Sequence, residues 1–582
     1  MLHRDDVAVL PAGFARLTSE IAGNWSPALS PDGRHVAYVS DRGGAPAVWV
    51  QPVGSELTFQ VALPHPVNAV AWSSGGGWLA CQAAPGGAPR QEVWLVRPDG
   101  SDPHQVAGFG TDTADNMRWL PGRPVLALTE NLTTAILIDV VTGERSVIAS
   151  GPLISLCDVD PTGECALLRH GPRGARRIVL HSPEPAASEP VDLVPGQEAV
   201  FSPGGGCVYA RSEDEEFPAL VRIADGVVER IAAGPAEVEA FAVTADGQTA
   251  AVLWNVNGGE SALELIDLTS LEAVPVALPD AVAAGLSWSF DGSVLAFTVE
   301  GPGRPHGVWA CDRDGGNLRA IAAEAPAPGA VRPTLEKVTA HDGLALTGWL
   351  FAPSGPGPHP TVIWLHGGPE AQERPGHGPL FQSLVQRGIA VFAPNVRGSS
   401  GFGRAYVDAD NLALRYGAIE DVRSCVRYLR DSRIAGAVGV MGRSYGGYLT
   451  LAAMTGFPEL FAVGIDVCGM ADFATFYEHT EPWIAAAAVS KYGDPVADAA
   501  LLRDLSPIHR IDRIAAPLMV VHGENDTNVP VIEAEQVVAA LRERGAPHRY
   551  LLFPGEGHEL LHRTARATYL RETVDWLTAH LH

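Results

Sequence analysis

The sequence predicts two domains, a seven-bladed β-propeller at residues 23–325 and an α/β domain at residues 326–582, after a short extension at residues 1–22. Two observations support this prediction. A similar pattern recurs about every 40–47 residues through the first half, which is the spacing of propeller blades. In the second half, strand patterns alternate with amphipathic helices. The length of 582 residues agrees, because one hydrophobic core rarely supports so long a chain.

The propeller prediction depends on seven copies of one pattern, in which two alternating apolar stretches flank a tight polar turn. The copies lie at residues 25–41, 68–83, 115–130, 155–170, 197–212, 239–254 and 284–299. Most of the turns contain glycine, which adopts the positive φ that hairpin turns require. A third strand-like stretch follows in most copies. Four-stranded blades arranged in a ring are the expected result, and hairpins of a large sandwich are the alternative.

The pattern changes after residues 321–336, a segment rich in alanine and proline that reads as a linker. Residues 361–368 form a buried strand that ends in glycines. Residues 420–432 are helical, and residues 437–442 are again strand-like. Strands that alternate with helices predict a parallel sheet covered on both faces.

The motif Gly442-Arg443-Ser444-Tyr445-Gly446 lies where a strand ends and a helix begins. It fits G-x-S-x-G, the nucleophile elbow of the α/β-hydrolase fold, in which a sharp turn exposes the serine hydroxyl. Larger residues in place of the two glycines would clash with neighbouring elements. We therefore predict an α/β-hydrolase domain with Ser444 as its nucleophile.

A serine hydroxyl is a weak nucleophile without a base, and in this fold an acid and then a histidine follow the serine along the chain. Asp526 follows a buried strand, and His558 lies in a loop before the last helix. Asp526 would orient the imidazole of His558, which would accept the Ser444 proton. His522 ends a strand and His562 falls in the last helix, so both are weaker candidates.

The tetrahedral intermediate needs two N–H donors for its oxyanion. The residue after the nucleophile, Tyr445, supplies one in this fold. The segment His366-Gly367-Gly368-Pro369 follows an earlier strand and fits the glycine-type oxyanion motif. We predict Gly368 as the second donor, since proline has no N–H.

The chain resembles the prolyl oligopeptidase family of serine peptidases over nearly its whole length. The motifs that carry this resemblance lie at residues 366–369, 395–403, 442–448 and 555–558 and around Asp526. The H-G-G-P segment resembles the acylaminoacyl peptidase branch most. The resemblance implies hydrolysis of short peptides through an acyl-enzyme, with the propeller restricting substrate size. It also implies a possible homo-oligomer.

One position departs from the acylaminoacyl pattern, which often has arginine two residues after the catalytic aspartate. Here the residue is Asn528. Dipeptidyl peptidases of the family have asparagine there, so the resemblance implies that Asn528 holds the substrate P2 carbonyl and that Val529 lines the S1 pocket. Enzymes acting on free amino termini also use paired glutamates, for which Glu215 and Glu216 are the candidates. The alternative for this acidic run is a solvated loop.

The segment after the nucleophile helix is rich in aromatic residues, which suit an apolar S1 pocket. We single out Phe476, Tyr477 and Trp483, with ordinary packing of a cap region as the alternative.

Composition excludes several function classes. A net charge of −26 argues against nucleic-acid binding, and no apolar run is long enough to cross a membrane. The first residues lack a signal-peptide pattern, so a cytoplasmic protein is expected. The seven scattered cysteines are expected to be free thiols, and no metal or other cofactor is predicted.

Four functions therefore stay open. The first is an acylaminoacyl-peptidase-like serine peptidase. The others are a dipeptidyl or aminopeptidase acting on free amino termini, an esterase or amidase acting on a small peptide-like metabolite, and a scaffold with an inactive hydrolase domain.

Overall fold

A computed structural model describes residues 22–182 and 190–582. The predicted extension at residues 1–22 lies outside these residues except for Ala22. The described chain has many antiparallel strands in its amino-terminal part and an α/β domain in its carboxyl-terminal part. Within it, no helix is both long and apolar enough to cross a membrane.

The seven repeats fold into consecutive groups of four antiparallel strands, and each predicted hairpin is the first strand pair of its group. In chain order the strands are β1 (Asn24–Leu29), β2 (His35–Ser40), β3 (Ala47–Pro52), β4 (Phe59–Val61), β5 (Val67–Trp72), β6 (Leu79–Ala83), β7 (Glu92–Val96), β8 (His104–Ala107), β9 (Ala114–Trp119), β10 (Val125–Glu130), β11 (Thr134–Asp139), β12 (Arg145–Ser150), β13 (Ile154–Val159), β14 (Ala166–His170), β15 (Arg177–His181), β16 (Val191–Phe201), β17 (Val208–Ser212), β18 (Ala219–Ala224), β19 (Val227–Ala232), β20 (Glu237–Val243), β21 (Thr249–Val256), β22 (Glu260–Asp267), β23 (Ala273–Val276), β24 (Val282–Trp288), β25 (Val294–Gly301), β26 (Arg304–Asp312) and β27 (Arg319–Ala322).

Strand β16 belongs to two groups, because its first residues pair with β15 and its last residues pair with β17. The fourth and fifth groups therefore form one seven-stranded sheet. The hairpin turns satisfy their own polar groups. In the first turn the Ser30 hydroxyl donates to Asp32 at 2.6 Å, and Gly33 adopts a φ of 66°.

Neighbouring strand groups are held together by their apolar side chains. Val50 of the first group shares a buried cluster with Leu79 of the second. The first group also packs against the last, since Tyr38 lies in one cluster with Ala296 and Val308. This burial of apolar area is the main source of stability for such an arrangement.

The carboxyl-terminal domain contains one eight-stranded sheet in the order β28-β29-β31-β30-β32-β33-β34-β35, parallel from β31 onward. The strands are β28 (Thr334–Thr339), β29 (Ala345–Phe351), β30 (His359–Leu365), β31 (Ala390–Asn395), β32 (Ala435–Arg443), β33 (Val463–Val467), β34 (Leu518–Gly523) and β35 (His548–Phe553). The helices are α1 (Pro379–Gln386), α2 (Arg404–Asp408), α3 (Arg415–Asp431), α4 (Tyr445–Gly456), α5 (Phe473–His479), α6 (Pro482–Tyr492), α7 (Ala499–Leu505), α8 (Ile532–Glu543) and α9 (Arg563–Leu581).

Helices cover both faces of this sheet. Val422 of α3 and Leu449 of α4 pack in a cluster on one face, and Leu384 of α1 and Val574 of α9 pack on the other. The predicted doubly covered sheet is thus present. The parallel strands β30, β32, β33 and β34 run in the same direction, so their carboxyl ends meet at one edge.

Loops of the amino-terminal strand groups contact this edge of the sheet. The Arg374 guanidinium donates to the Gly259 carbonyl at 2.7 Å and pairs with Glu239 at 2.5 Å. The backbone N–H of Gly403 donates to Glu237 at 2.9 Å. These contacts place the strand groups over the carboxyl ends of the parallel strands, where ligands bind in such sheets.

Candidate active site

The nucleophile motif forms a strained turn between β32 and α4. Ser444 has φ 58° and ψ −119°, which non-glycine residues rarely adopt. A Cβ atom at Gly446 would lie 1.9 Å from the Leu365 carbonyl oxygen, and one at Gly442 would lie 2.3 Å from the Gly446 carbonyl oxygen. Both positions therefore require glycine, and the turn leaves the serine at the carboxyl edge of the sheet.

The loop after β34 fixes the carboxylate of Asp526. Its Oδ1 accepts the backbone N–H groups of Asn528 at 2.9 Å and Val529 at 3.0 Å, and its Oδ2 contacts His558 Nδ1 at 2.7 Å. Burial alone would raise the pKa of Asp526, but His558 and His522 hold it below its ordinary value. The charged carboxylate therefore fixes the proton on Nδ1 and leaves Nε2 of His558 as the basic nitrogen.

Several of the predicted site residues line one pocket of about 350 Å³. It is lined by Gly367, Gly368, Glu370, Arg443, Ser444, Asn528, His558 and Glu559 from the catalytic domain, and by Arg173 and Arg176 from the strand groups. The structure thus brings Ser444, His558, Gly368 and Asn528 to one cavity, with Asp526 behind His558.

The glycine segment predicted for the oxyanion lies directly beside Ser444. A Cβ atom at Gly367 would lie 3.4 Å from Ser444 Cβ and 4.0 Å from its Oγ. His366 holds this segment through a 2.8 Å contact between its Nε2 and the Ser399 hydroxyl. Tyr445 is the first residue of α4, where backbone N–H groups have no partner within the helix.

The predicted S1 aromatics lie behind the elbow. Phe476 is buried, and its ring lies 6.1 Å from that of Tyr492 and 5.4 Å from that of Tyr477. The Tyr477 hydroxyl donates to the Gly493 carbonyl at 2.8 Å. Trp483 is half-buried near the start of α6.

Val529 is buried, and both of its backbone polar groups are occupied. Its N–H donates to Asp526, and its carbonyl accepts from His522 Nε2 at 2.8 Å. His522 therefore braces the loop that contains Asp526.

Glu215 and Glu216 do not line the pocket of Ser444. The Glu216 carboxylate accepts the N–H of Ala405 at 3.2 Å, and its carbonyl accepts the N–H of Arg404 at 2.8 Å, so this residue holds the start of α2. Glu215 pairs with Arg230 and lines a second cavity of about 460 Å³ between the domains. The structure therefore gives both glutamates partners outside the catalytic pocket.

Sequence reasoning missed the role of Cys468, which directly follows β33 with a φ of 42°. All seven cysteines are free thiols, but this one has its sulfur, a His558 nitrogen and an Asp526 oxygen within 4.8 Å of one another. Burial opposes ionisation of the thiol, yet His558 and Arg443 lower its pKa overall. The available signal was its position at a strand carboxyl end in the parallel sheet.

Cys468 also affects the histidine. Burial disfavours the imidazolium, but the Cys468 sulfur and the Asp526 carboxylate raise the pKa of His558 to about 10. Cysteine, histidine and aspartate are ligands that zinc accepts, so this trio is the group best placed to hold a metal in the described chain. A metal there would occupy the atoms that the Asp526–His558 hydrogen bond uses.

A buried ionic network supports the wall behind Tyr445. The Arg415 guanidinium stacks over the Tyr445 and Tyr492 rings at 5.1 Å and 4.4 Å. It donates to the carbonyls of Asp410 at 3.0 Å and Lys491 at 2.9 Å. Removing a charged group from water costs free energy, which these hydrogen bonds and ring contacts offset. The network therefore holds the Tyr445 and Tyr492 rings in place.

Comparisons with known proteins agree with this geometry. The model of the prolyl oligopeptidase family matches residues 379–582. Dipeptidyl aminopeptidase BIII of Pseudoxanthomonas mexicana is 36% identical over 208 residues, which are 34% of this chain and 30% of that protein. The acylamino-acid-releasing enzyme of Rattus norvegicus is 28% identical over 232 residues, which are 38% of this chain and 31% of that enzyme.

The chain thus matches these curated relatives over about a third of their length, and the matched segment is also about a third of this chain. A solved structure of a puromycin hydrolase superposes with a TM-score of 0.84 at 18% identity, covering 98% of this chain and 96% of that one. At 18% identity this likeness shows that the two proteins share the fold of both domains. The family match itself covers Ser444, Asp526 and His558. Residues 379–582 of this chain therefore match the prolyl oligopeptidase family of serine peptidases.

Proposed function

We propose that the chain is a serine peptidase that hydrolyses short peptides through an acyl-enzyme formed on Ser444. The observation that carries the proposal is the 2.7 Å contact between Asp526 and His558 Nδ1, beside a pocket that His558 shares with a serine on a strained turn. This arrangement prepares a base, an orienting carboxylate and a nucleophile in one place.

The chemistry follows from these positions. His558 Nε2 accepts the Ser444 proton as Oγ attacks the peptide carbonyl, and the N–H groups of Tyr445 and Gly368 stabilise the oxyanion. The protonated histidine then donates to the leaving amine. Water, activated by the same histidine, hydrolyses the acyl-enzyme. Asp526 stabilises the imidazolium throughout.

We infer that the seven strand groups form a closed seven-bladed propeller, with its boundary to the catalytic domain near residues 325 and 326. The cluster that joins Tyr38 to Ala296 and Val308 supports closure, because it packs the first group on the last. A ring over the catalytic pocket would exclude folded proteins and admit short peptides.

The pocket favours substrates with a capped amino terminus, as in the acylaminoacyl branch. Two carboxylates line it, and each has its own cation: Glu559 pairs with Arg443 at 2.6 Å, and Glu370 pairs with Lys491 at 3.2 Å. With Glu216 committed to α2, the described residues leave no unpaired carboxylate there for a free ammonium group. Recognition of an amine would therefore require breaking an existing ion pair.

Two other activities stay as alternatives. A similar protein is named a dipeptidyl aminopeptidase, which keeps activity on free amino termini open, and Asn528 in the pocket suits that activity. A protein of the same fold is named a puromycin hydrolase, which keeps an amidase or esterase acting on a small peptide-like metabolite open. A cytoplasmic location and a homo-oligomeric state stay predictions of the sequence.

Matched chromogenic peptides test the proposal. One set has acetylated amino termini and the other has free amines, with alanine, leucine, phenylalanine and proline at P1 and with Ser444→Ala as the blank. We expect kcat/KM to favour the acetylated set by about tenfold or more, which is about 1.4 kcal/mol of discrimination. A preference for free amines would support the dipeptidyl alternative, and turnover of simple esters alone would support the metabolite hydrolase.

A further inference from the structure

The hairpin between β14 and β15 extends from the fourth strand group to the catalytic pocket. His170 pairs with Arg177 at its base, and residues 171–176 form its turn. The turn is well defined, because Ala175 N–H donates to the Pro172 carbonyl at 3.1 Å and Gly171 adopts a φ of 107°. It places Arg173 and Arg176 in the wall of the pocket that contains Ser444.

Among residues 22–182 and 190–582, neither guanidinium group has a carboxylate partner. Arg176 donates to the Gln197 side chain, a neutral acceptor, and neither Arg173 nor Arg176 forms an ion pair with any residue in the described ranges. Both side chains are half-buried. Burial and the nearby cations Arg169 and Arg173 lower the pKa of Arg176 to about 10, even though Glu370 and Glu213 act in the opposite direction.

The two carboxylates that line the pocket each pair with another cation. Glu559 is paired with Arg443, and Glu370 is paired with Lys491. The pocket therefore has an excess of positive charge on its hairpin side. A guanidinium group presents a planar fork of N–H donors that matches a carboxylate, so this wall suits a carboxylate of the substrate.

We propose that Arg173 and Arg176 form a subsite that binds a carboxylate of the peptide substrate next to the scissile bond. The inference rests on the proposed peptidase activity and specifies its substrate class. The carboxylate is either the free carboxyl terminus of the leaving group or an acidic side chain. The pocket has a volume of about 350 Å³, so a free carboxyl terminus bound in it must lie only a few residues after the scissile bond. The corresponding substrates are short peptides.

The test compares acetylated peptides that differ in one group. The first pair ends in a free carboxylate or in a carboxamide after the same residues. The second pair ends in a carboxamide and carries glutamate or glutamine, in turn, at the positions flanking the scissile bond. Values of kcat/KM are measured for the natural protein, for Arg173→Gln with Arg176→Gln, and for Arg177→Gln. Arg177 is a matched control, since it lies on β15, pairs with Asp192 and does not line the pocket of Ser444.

We expect the natural protein to prefer the carboxylate member of one pair by about tenfold or more, as loss of a charge-assisted contact predicts. The double variant should lose this preference, and Arg177→Gln should keep it. Preference in the first pair identifies the carboxyl terminus, and preference in the second identifies an acidic side chain.

Equal kcat/KM within both pairs in the natural protein would overturn the subsite, whether or not the variants fold. An equal loss for charged and neutral members in the double variant would also overturn it. Failure of the proposed function is a different result, in which no peptide of either kind is hydrolysed by the natural protein. Arg173→Lys adds a further check, because it keeps the charge and removes the fork, and should retain only part of the preference.

Discussion

The two sides of the catalytic pocket differ in how their charged groups are satisfied. On the catalytic-domain side, Asp526 has three hydrogen-bond partners and Glu559 is paired with Arg443. On the hairpin side, Arg173 and Arg176 have no carboxylate partner among the described residues. In the proposed mechanism, groups that perform chemistry are fixed before substrate arrives, whereas groups that recognise substrate keep their bonding capacity.

The largest effect is expected from the nucleophile. Ser444→Ala should lower kcat by about 10⁶-fold, as removal of the serine from a comparable triad does. Loss of the hydroxyl removes the acyl-enzyme without disturbing the Asp526–His558 contact, so thermal stability should be retained. Hydrolysis assays and labelling by a fluorophosphonate measure both points. Ser432→Ala is the control, since Ser432 is exposed at the end of α3, and comparable activity in the two variants would contradict the assignment.

Asp526→Asn should cost about 10⁴-fold in kcat with little change in KM. The N–H groups of Asn528 and Val529 keep the amide oxygen toward them, so the amide NH₂ faces His558 and forces the proton onto Nε2. The histidine then has the wrong tautomer to act as base. Asp494→Asn is the control, because Asp494 accepts two backbone N–H groups in a turn outside the pocket. A loss of less than tenfold would show that another group orients His558.

Cys468→Ala should shift the pH dependence of kcat/KM. His558 must be neutral to accept a proton, so activity rises as pH increases through its pKa, which Cys468 and Asp526 raise to about 10 against the effect of burial. Without the sulfur this pKa falls, and the acidic limb of the profile moves to lower pH. At pH values well below the pKa, each unit by which the pKa of His558 falls raises the fraction of neutral imidazole about tenfold. Cys165→Ala, in the strand groups, should leave the profile unchanged, and an unchanged profile in both variants would exclude a role for Cys468.

The smallest effect is expected from Glu216→Gln. The amide oxygen can still accept the Ala405 N–H, so stability and KM for free-amine peptides should change by less than about twofold. Glu216→Ala removes this acceptor at the start of α2 and should cost about 1 kcal/mol in the free energy of unfolding, again without a change in KM. Calorimetry and steady-state kinetics distinguish the two results. A large rise in KM with Gln would return Glu216 to the substrate site.

Much of the fold could be predicted because its signals are local. Alternating apolar residues around glycine-containing turns predict each hairpin, and the strand, turn and helix around Ser444 are adjacent in sequence. The sharing of β16 by two groups was not predictable, because it depends on how neighbouring groups pair.

The candidate site divides in the same way. Asp526 and His558 follow from their order along the chain and their place at strand ends. Arg173, Arg176 and Cys468 do not, since their roles depend on contacts between distant segments. Which hairpin reaches Ser444 is decided by how the two domains dock, and the acidic run at Glu216 contacts α2 for the same reason.

The hairpin at residues 171–176 is closed by its own strand pairing, and only its turn enters the pocket. Its two arginines can therefore be exchanged without altering the core of either domain or the proposed triad. In evolutionary terms, the preference for a substrate can drift in one surface turn while selection preserves the reaction. The same separation makes this turn the place to begin when retargeting the enzyme by loop exchange.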